Sequence, residues 1–184
     1  MAAAYDLISS IAPHDDLESV HRAETLGWLR ETDDVFRRRK PATPPKHLVS
    51  YVVPMDPGDG GLLLVAHRNA GLWLPPGGHV EPDEHPADTA GRELAEELGI
   101  AGVAARPAFL TVTRTVGLDA GHTDVSLWFI APISRDTELA PDTAEFADVR
   151  WWARAELAHA DPDRFDPHLG RFLAKTDEFP AAGS

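Results

Sequence analysis

Apolar residues recur at helical spacing along Pro86–Leu98, where Ala87, Ala90, Leu94 and Leu98 form one stripe. Pro86 suits a first helical turn, where its missing N–H is no loss, and Gly99 supplies the usual stop. Glu93, Glu96 and Glu97 stand at i, i+3 and i+4. At about 100° per residue they cluster roughly 120° around the helix from that stripe. The pattern therefore predicts a helix with one face to bury and another holding three carboxylates.

Around this helix the pattern changes to strand-like runs. Residues 47–55 and Leu62–His67 are β-branched and aliphatic, and the turn-rich stretch from Asp56 to Gly61 predicts that they pair as a hairpin. Residues 70–75 read as a short link into Gly77 and Gly78. Further strands are predicted over 107–116, 123–131 and 149–153, with helices over 154–160 and 163–175 and a frayed tail over 179–184. Strands on both sides of a central helix, with more helices beyond, predict an α/β/α sandwich built on a mixed sheet.

Residues 1–40 read as a polar helical extension, and 41–184 as the main domain. Leu7, Ile8 and Ile11 form a small apolar group, and Asp15 or Asp16 is placed to cap a helix running to about Arg30. Its apolar positions, Leu17, Val20, Trp28 and Leu29, drift in phase. Arg37, Arg38, Arg39 and Lys40 read as a solvated run near a helix end or as phosphate contacts. The prolines at 41, 44 and 45 then break any helix and mark a linker.

Composition narrows the function classes. A chain of 184 residues, 43% hydrophobic and 26% charged, can bury a sizeable core. Its net charge of −13 opposes binding to long nucleic acids but not to a small polyphosphate held through a cation. There is no cysteine, which removes disulfides and thiolate metal sites and suits a reducing, cytoplasmic setting. The opening residues lack a basic region followed by a long apolar core, so no secretory signal is expected, and no run approaches membrane-spanning length.

The carboxylates carry the chemistry. Like charges at i,i+4 cost roughly 0.2–0.5 kcal/mol per pair, a cost that a hard divalent cation turns into binding. Arg92 precedes Glu96 by one helical turn and can fix its rotamer, while Gly77 and Gly78 let backbone approach a ligand closely.

Gly78, Glu84, Arg92-Glu93-Leu94, Glu96-Glu97 and Gly99-Ile100, at spacings of five, seven, one and one residues, match every defined position of the Nudix box. The chain thus resembles the Nudix (MutT-like) hydrolases over roughly residues 46–160. The resemblance implies a Nudix-type α/β/α sandwich and a Mg²⁺- or Mn²⁺-dependent pyrophosphatase acting on a nucleoside diphosphate linked to another group. By position, Glu96 and Glu97 resemble the main metal ligands, Glu93 a further ligand or the base, and the Gly77 carbonyl another ligand. Arg92 resembles the arginine that orients the glutamates, and Glu84 the supporting acid beside Gly78.

Asp83 replaces a glycine common in the family, and Gly91 interrupts the helix at a cost of roughly 0.5–1 kcal/mol. A further acid from outside the box is expected at Asp124, Glu138 or Glu145, with Asp124 foremost beside His122. Arg68 and Trp73 are candidate contacts for phosphate and nucleoside. Of nine histidines, His67 and His79 stand too far apart for a compact zinc motif, so oxygen-preferring ions are favoured. The proline, tyrosine and SQPWPFPxS markers of substrate subgroups are missing. A small nucleotide is the expected partner, without long nucleic acid or membrane, and a homodimer is compatible with the fold. Two other readings share that fold. One is a nucleotide-sensing module, which usually loses box glutamates. The other is a diphosphate-ester isomerase, which in the best-known cases uses a cysteine.

Overall fold

The structure is a computed structural model that describes residues 2–39, 43–116, 118 and 120–177. Part of the expected linker, residues 40–42, and the expected frayed tail lie outside the described residues. The strands are β1 (Lys46–Met55), β2 (Leu62–His67), β3 (Leu72–Leu74), β4 (Gly77–His79), β5 (Arg106–Arg114), β6 (Thr123–Pro132) and β7 (Phe146–Trp152). The helices are α1 (Ala2–Ser10), α2 (Asp16–Glu31), α3 (Pro86–Leu98), α4 (Arg154–His159) and α5 (Leu169–Asp177).

One mixed sheet runs β3-β2-β1-β6-β5, with β4 added to β1 and β7 to β2. Among the described strands β1 and β6 pair in parallel, in register from Lys46↔Thr123 to Met55↔Pro132, and the other strand pairs are antiparallel. Both central strands are apolar on both faces, as a doubly covered sheet requires. Leu48, Val52, Leu127 and Phe129 pack with Ala90, Leu94 and Leu98 of α3 and with Ala4 and Ile8 of α1. Val53, Trp128 and Ile130 point the other way, into a core with Trp152, Phe165, Leu169 and Phe172. Trp128 stacks on Phe172 there, ring centres 5.1 Å apart. The expected α/β/α sandwich is present.

The N-terminal helices cover an edge. β5 ends the sheet, so alternate N–H groups along it have no neighbouring strand. Two of them donate to side chains of α2: Leu110 N–H to Glu18 Oε1 at 3.2 Å and Val112 N–H to His21 Nδ1 at 3.3 Å. This explains the drifting apolar phase of α2. Its buried face is Glu18, His21, Thr25 and Leu29, while Leu17 and Val20 are exposed. A helix that finishes a strand edge needs acceptors where a core-facing helix needs aliphatics. Glu18, fully buried, also receives Lys175 Nζ of α5 at 2.7 Å and His14 N–H at 2.8 Å. Asp15 caps α2 as expected, accepting Glu18 N–H at 2.7 Å, and its other oxygen accepts Arg171 Nε at 2.7 Å.

Two expectations are corrected. The link over 70–75 contains β3, which pairs with β2 from His67↔Leu72 to Val65↔Leu74. The helix expected over 163–175 begins only at Leu169, after a 3-10 turn at Pro162–Arg164. Pro167 accounts for the break, since it disfavours helical geometry in the residue before it. The freed Asp166 N–H donates to the Trp73 carbonyl at 3.1 Å instead, docking this turn on β3.

Glu18→Ala leaves Lys175 and the Leu110 N–H buried without their partner. It is expected to lower unfolding free energy by about 3–5 kcal/mol in urea titrations. Gly91→Ala adds a methyl group that meets nothing within 4 Å, so the same titration should show a gain of about 0.5–1 kcal/mol.

Candidate active site

Helix α3 is held at both ends and from below. His85 caps its start, Nδ1 accepting Ala87 N–H at 3.1 Å, and Gly99 ends it with φ 73°. Ser50 Oγ on β1 donates to the Pro86 carbonyl at 2.8 Å, fixing the helix over the sheet. In the preceding loop Asp83 has φ 66°, a left-handed backbone of the kind that favours glycine. Aspartate tolerates that conformation better than most side chains.

The carboxylates do not share one environment. Glu93 and Glu97 are buried, whereas the Glu96 side chain is 61% exposed. Arg92 joins the set. Its guanidinium grips Glu84 through Nε and Nη2 at 2.9 and 3.0 Å. It also donates from Nη1 to Glu93 at 2.8 Å and to Glu96 at 3.2 Å, and from Nη2 to the His79 carbonyl at 3.3 Å. Glu84 accepts from Thr89 Oγ1 at 2.7 Å as well. Burial alone would raise the Glu84 carboxyl, but its bonds to Arg92 and Thr89 bring it below the ordinary range. Glu97 accepts the Gly77 N–H at 2.9 Å.

Burial pushes Glu97 up to about 9, aided by the charges of Glu93 and Glu145 and opposed by the Gly77 N–H. Glu93 is also raised, chiefly by burial, with Arg92 pulling the other way. Buried carboxylates crowded in this way must share a proton or a cation. The adjoining glycines leave room for the latter. A Cβ on Gly78 would lie 2.2 Å from Glu93 Oε1, and one on Gly77 2.3 Å from the Ser50 carbonyl oxygen. An all-oxygen set of glutamates and backbone carbonyl fits Mg²⁺ or Mn²⁺.

These groups face a cleft of about 1140 Å³. Gly77, Gly78, Arg92, Glu93, Glu97 and Asp124 line it; Glu84 and Glu96 do not, but both pair with Arg92. Glu145 also lines it, and Glu138 does not. Arg37 and Arg114 add positive charge to the wall, so among the described residues of the basic run it is Arg37 that reaches the cleft, while Arg38 pairs with Asp34 at 2.8 Å. Arg68 and Trp73 do not line the cleft; they lie on an adjoining depression of about 400 Å³ that shares His67 and Leu72 with it and also includes Arg164. There Arg68 donates to the Thr143 carbonyl at 3.2 and 3.3 Å, and Trp73 packs edge-on against Trp152 at 5.2 Å.

Sequence spacing missed a second cluster. His47, His79, His122 and Asp124 each offer a donor atom, all within 4.8 Å of one another. They come from positions up to 77 apart in sequence (124 − 47), and the β1–β6 register places His47 directly beside Asp124. The only available signal was the His122-x-Asp124 alternation at a strand start.

A family model for the NUDIX domain matches residues 45–175. An uncharacterized Nudix hydrolase (orf19) of Rhodococcus erythropolis is 37% identical over 84 residues; the match takes in 44% of this chain and only 45% of that protein's length. An isopentenyl-diphosphate Delta-isomerase of Dinoroseobacter shibae is 36% identical over 120 residues, covering 62% of this chain and 68% of that one. The NUDIX domain of Shewanella oneidensis NrtR, solved with ADP ribose, superposes with a TM-score of 0.57 at 22% identity, over 71% of this chain and 86% of that one. A Clostridium perfringens NUDIX hydrolase gives a TM-score of 0.56 at 21% identity, over 71% and 96%.

The two glycines separate steric roles. In Gly78→Ala the new methyl meets the movable end of Glu93, so melting temperature should hold while Mn²⁺ affinity by calorimetry falls about tenfold or more. In Gly77→Ala it meets backbone at a φ of 150°, so melting temperature itself should drop.

Proposed function

This chain belongs to the Nudix family, and on that premise we propose that it is a hydrolase whose cleft cuts a pyrophosphate bond in a nucleoside diphosphate linked to another group. Residues 41–184 form the hydrolase unit in this reading, with 1–40 as its extension, acting in the cytoplasm. The observation that carries it is the pair Glu93 and Glu97, buried at one cleft wall between the Gly77–Gly78 backbone and the Arg92 guanidinium.

Glu93, Glu96, Glu97 and the Gly77 carbonyl would hold Mg²⁺ or Mn²⁺. When bound, the ion neutralises phosphate charge and makes water more acidic. The remaining work falls to the chain. Arg92 keeps the carboxylates in fixed rotamers while its own charge is shared with Glu84. Gly77 and Gly78 allow the diphosphate to approach the backbone. Arg37 and Arg114 favour an anionic ligand in a protein whose net charge is −13. Water adds to one phosphorus, the bridging oxygen leaves with the other phosphate, and a carboxylate of the cluster takes the proton. Glu145 is the acid from outside the box best placed to assist, because its charge is felt by both Glu93 and Glu97. Among the described residues no helix is long and apolar enough to cross a membrane.

The isomerase relatives favour a second reading, diphosphate-ester isomerisation. The chain has no cysteine to serve as the acid–base group of the best-known cases. A panel of nucleotides, dinucleotides, nucleotide sugars and ADP-ribose with Mg²⁺, plus isopentenyl diphosphate as a separate arm, distinguishes the two by product analysis. Hydrolysis should yield two phosphate-bearing products and fall about 10²–10⁴-fold in Glu97→Gln. Rearrangement without cleavage would support isomerisation, and tight binding without turnover a sensing module. Equal turnover by wild type and Glu97→Gln would remove the glutamate site from the mechanism.

A further inference from the structure

We propose that His47, His79, His122 and Asp124 form a second metal site, specific for a divalent transition metal and separate from the glutamates of α3. Three strands build it. His47 is the second residue of β1, Asp124 lies opposite it on β6, His122 immediately precedes β6, and His79 ends β4 beside β1. The His47 ring centre is 4.7 Å from that of His79 and 4.8 Å from that of His122.

The hydrogen bonds of His47 decide the matter. Its Nδ1 lies 2.9 Å from the Pro44 carbonyl, which can only accept, so that nitrogen carries a proton. Its Nε2 lies 3.1 Å from Asp124 Oδ1, yet neither atom has a hydrogen-bond partner. A proton on Nε2 would therefore not point at the carboxylate. Without one, the ring nitrogen of a side chain with no solvent exposure keeps an unused lone pair 3.1 Å from a carboxylate oxygen. Both arrangements are costly for buried polar atoms. A cation between them satisfies both.

The outer contacts suit that role. A histidine that binds metal through one nitrogen usually gives its other N–H to a carbonyl or similar acceptor, as His47 does to Pro44. His122 repeats the scheme: Nδ1 lies 3.2 Å from Thr115 Oγ1, and Nε2 lies 3.3 Å from the same Asp124 Oδ1. A tetrahedral ion with bonds of about 2.0–2.1 Å spaces its ligands roughly 3.4 Å apart. The two separations to Asp124 already have that spacing, and the others, all within 4.8 Å, need small side-chain rotations.

Three imidazoles and one carboxylate select Zn²⁺ or a neighbouring transition metal over Mg²⁺. The site would clamp β4 to β1 and β6 directly beside Gly78. Because His79, His122 and Asp124 line the cleft, the ion also stands at its floor. The assignment is independent of the hydrolase reading, since it uses none of the glutamates.

The test uses the full chain, stripped with a chelator and titrated with Co²⁺ as a spectroscopic stand-in for Zn²⁺. One equivalent should produce visible d–d bands that Zn²⁺ abolishes and excess Mg²⁺ does not. The bands should persist in the Glu93→Gln/Glu97→Gln double variant and vanish in Asp124→Asn and in His122→Asn, each checked by circular dichroism. Zn²⁺ should also raise the melting temperature of wild type and not of Asp124→Asn, a readout available even if His122→Asn fails to fold. Absence of bands in wild type, displacement by Mg²⁺, or loss only in the glutamate double variant would overturn the proposal.

Discussion

Much of the site hangs on a single guanidinium. Arg92 meets Glu84, Glu93, Glu96 and the His79 carbonyl at once, and so compensates carboxylates that would otherwise repel one another on a buried surface. A planar fork can hold one carboxylate by two bonds and still reach others, which a lysine cannot. The cost of crowding is not removed, and it remains in Glu97, raised to about 9 by burial and by Glu93 and Glu145. That residual tension is what makes this wall of the cleft a place for cations and protons.

The same arginine ties the helix to the strand that carries the glycine pair. β4 lies so close to β1 at Gly77 that a side chain there would enter the Ser50 carbonyl. Its last residue, His79, gives a carbonyl to Arg92 and a ring to the histidine cluster. The short strand is therefore shared by two groups of donors with different chemistry. The α3 carboxylates meet it through the Gly77 N–H and through Arg92, and the sheet histidines meet it through the His79 ring.

Farther from the cleft, α2 is a polar lid on the outer strand. Glu18 and His21 accept β5 N–H groups, and Lys175 neutralises Glu18 from α5. The extension thus blocks the edge at which another strand would add. It also joins α5 on one face to the helices on the other, which makes residues 2–31 part of the packing unit.

Local pattern determined a good deal by itself. The bounds of α3, its cap at Gly99, β2, and the reach of Arg92 to Glu96 all follow from residues within about one helical turn or one strand of each other, where spacing maps directly to geometry. The positive φ of Asp83 and the short β3 were not legible, because each depends on neighbours rather than on the residue's own preference. Tertiary structure alone decided which glutamates are buried, since burial of Glu93 and Glu97 but not Glu96 comes from the strand laid against the helix. It alone put Arg68 and Trp73 on the adjoining depression rather than on the cleft wall. It alone turned α2 around, because a strand edge calls for acceptors that no hydrophobic count anticipates. And it alone gathered His47, His79, His122 and Asp124: strand register joins residues far apart in the chain, and beyond the His122-x-Asp124 alternation nothing in their spacing reveals it.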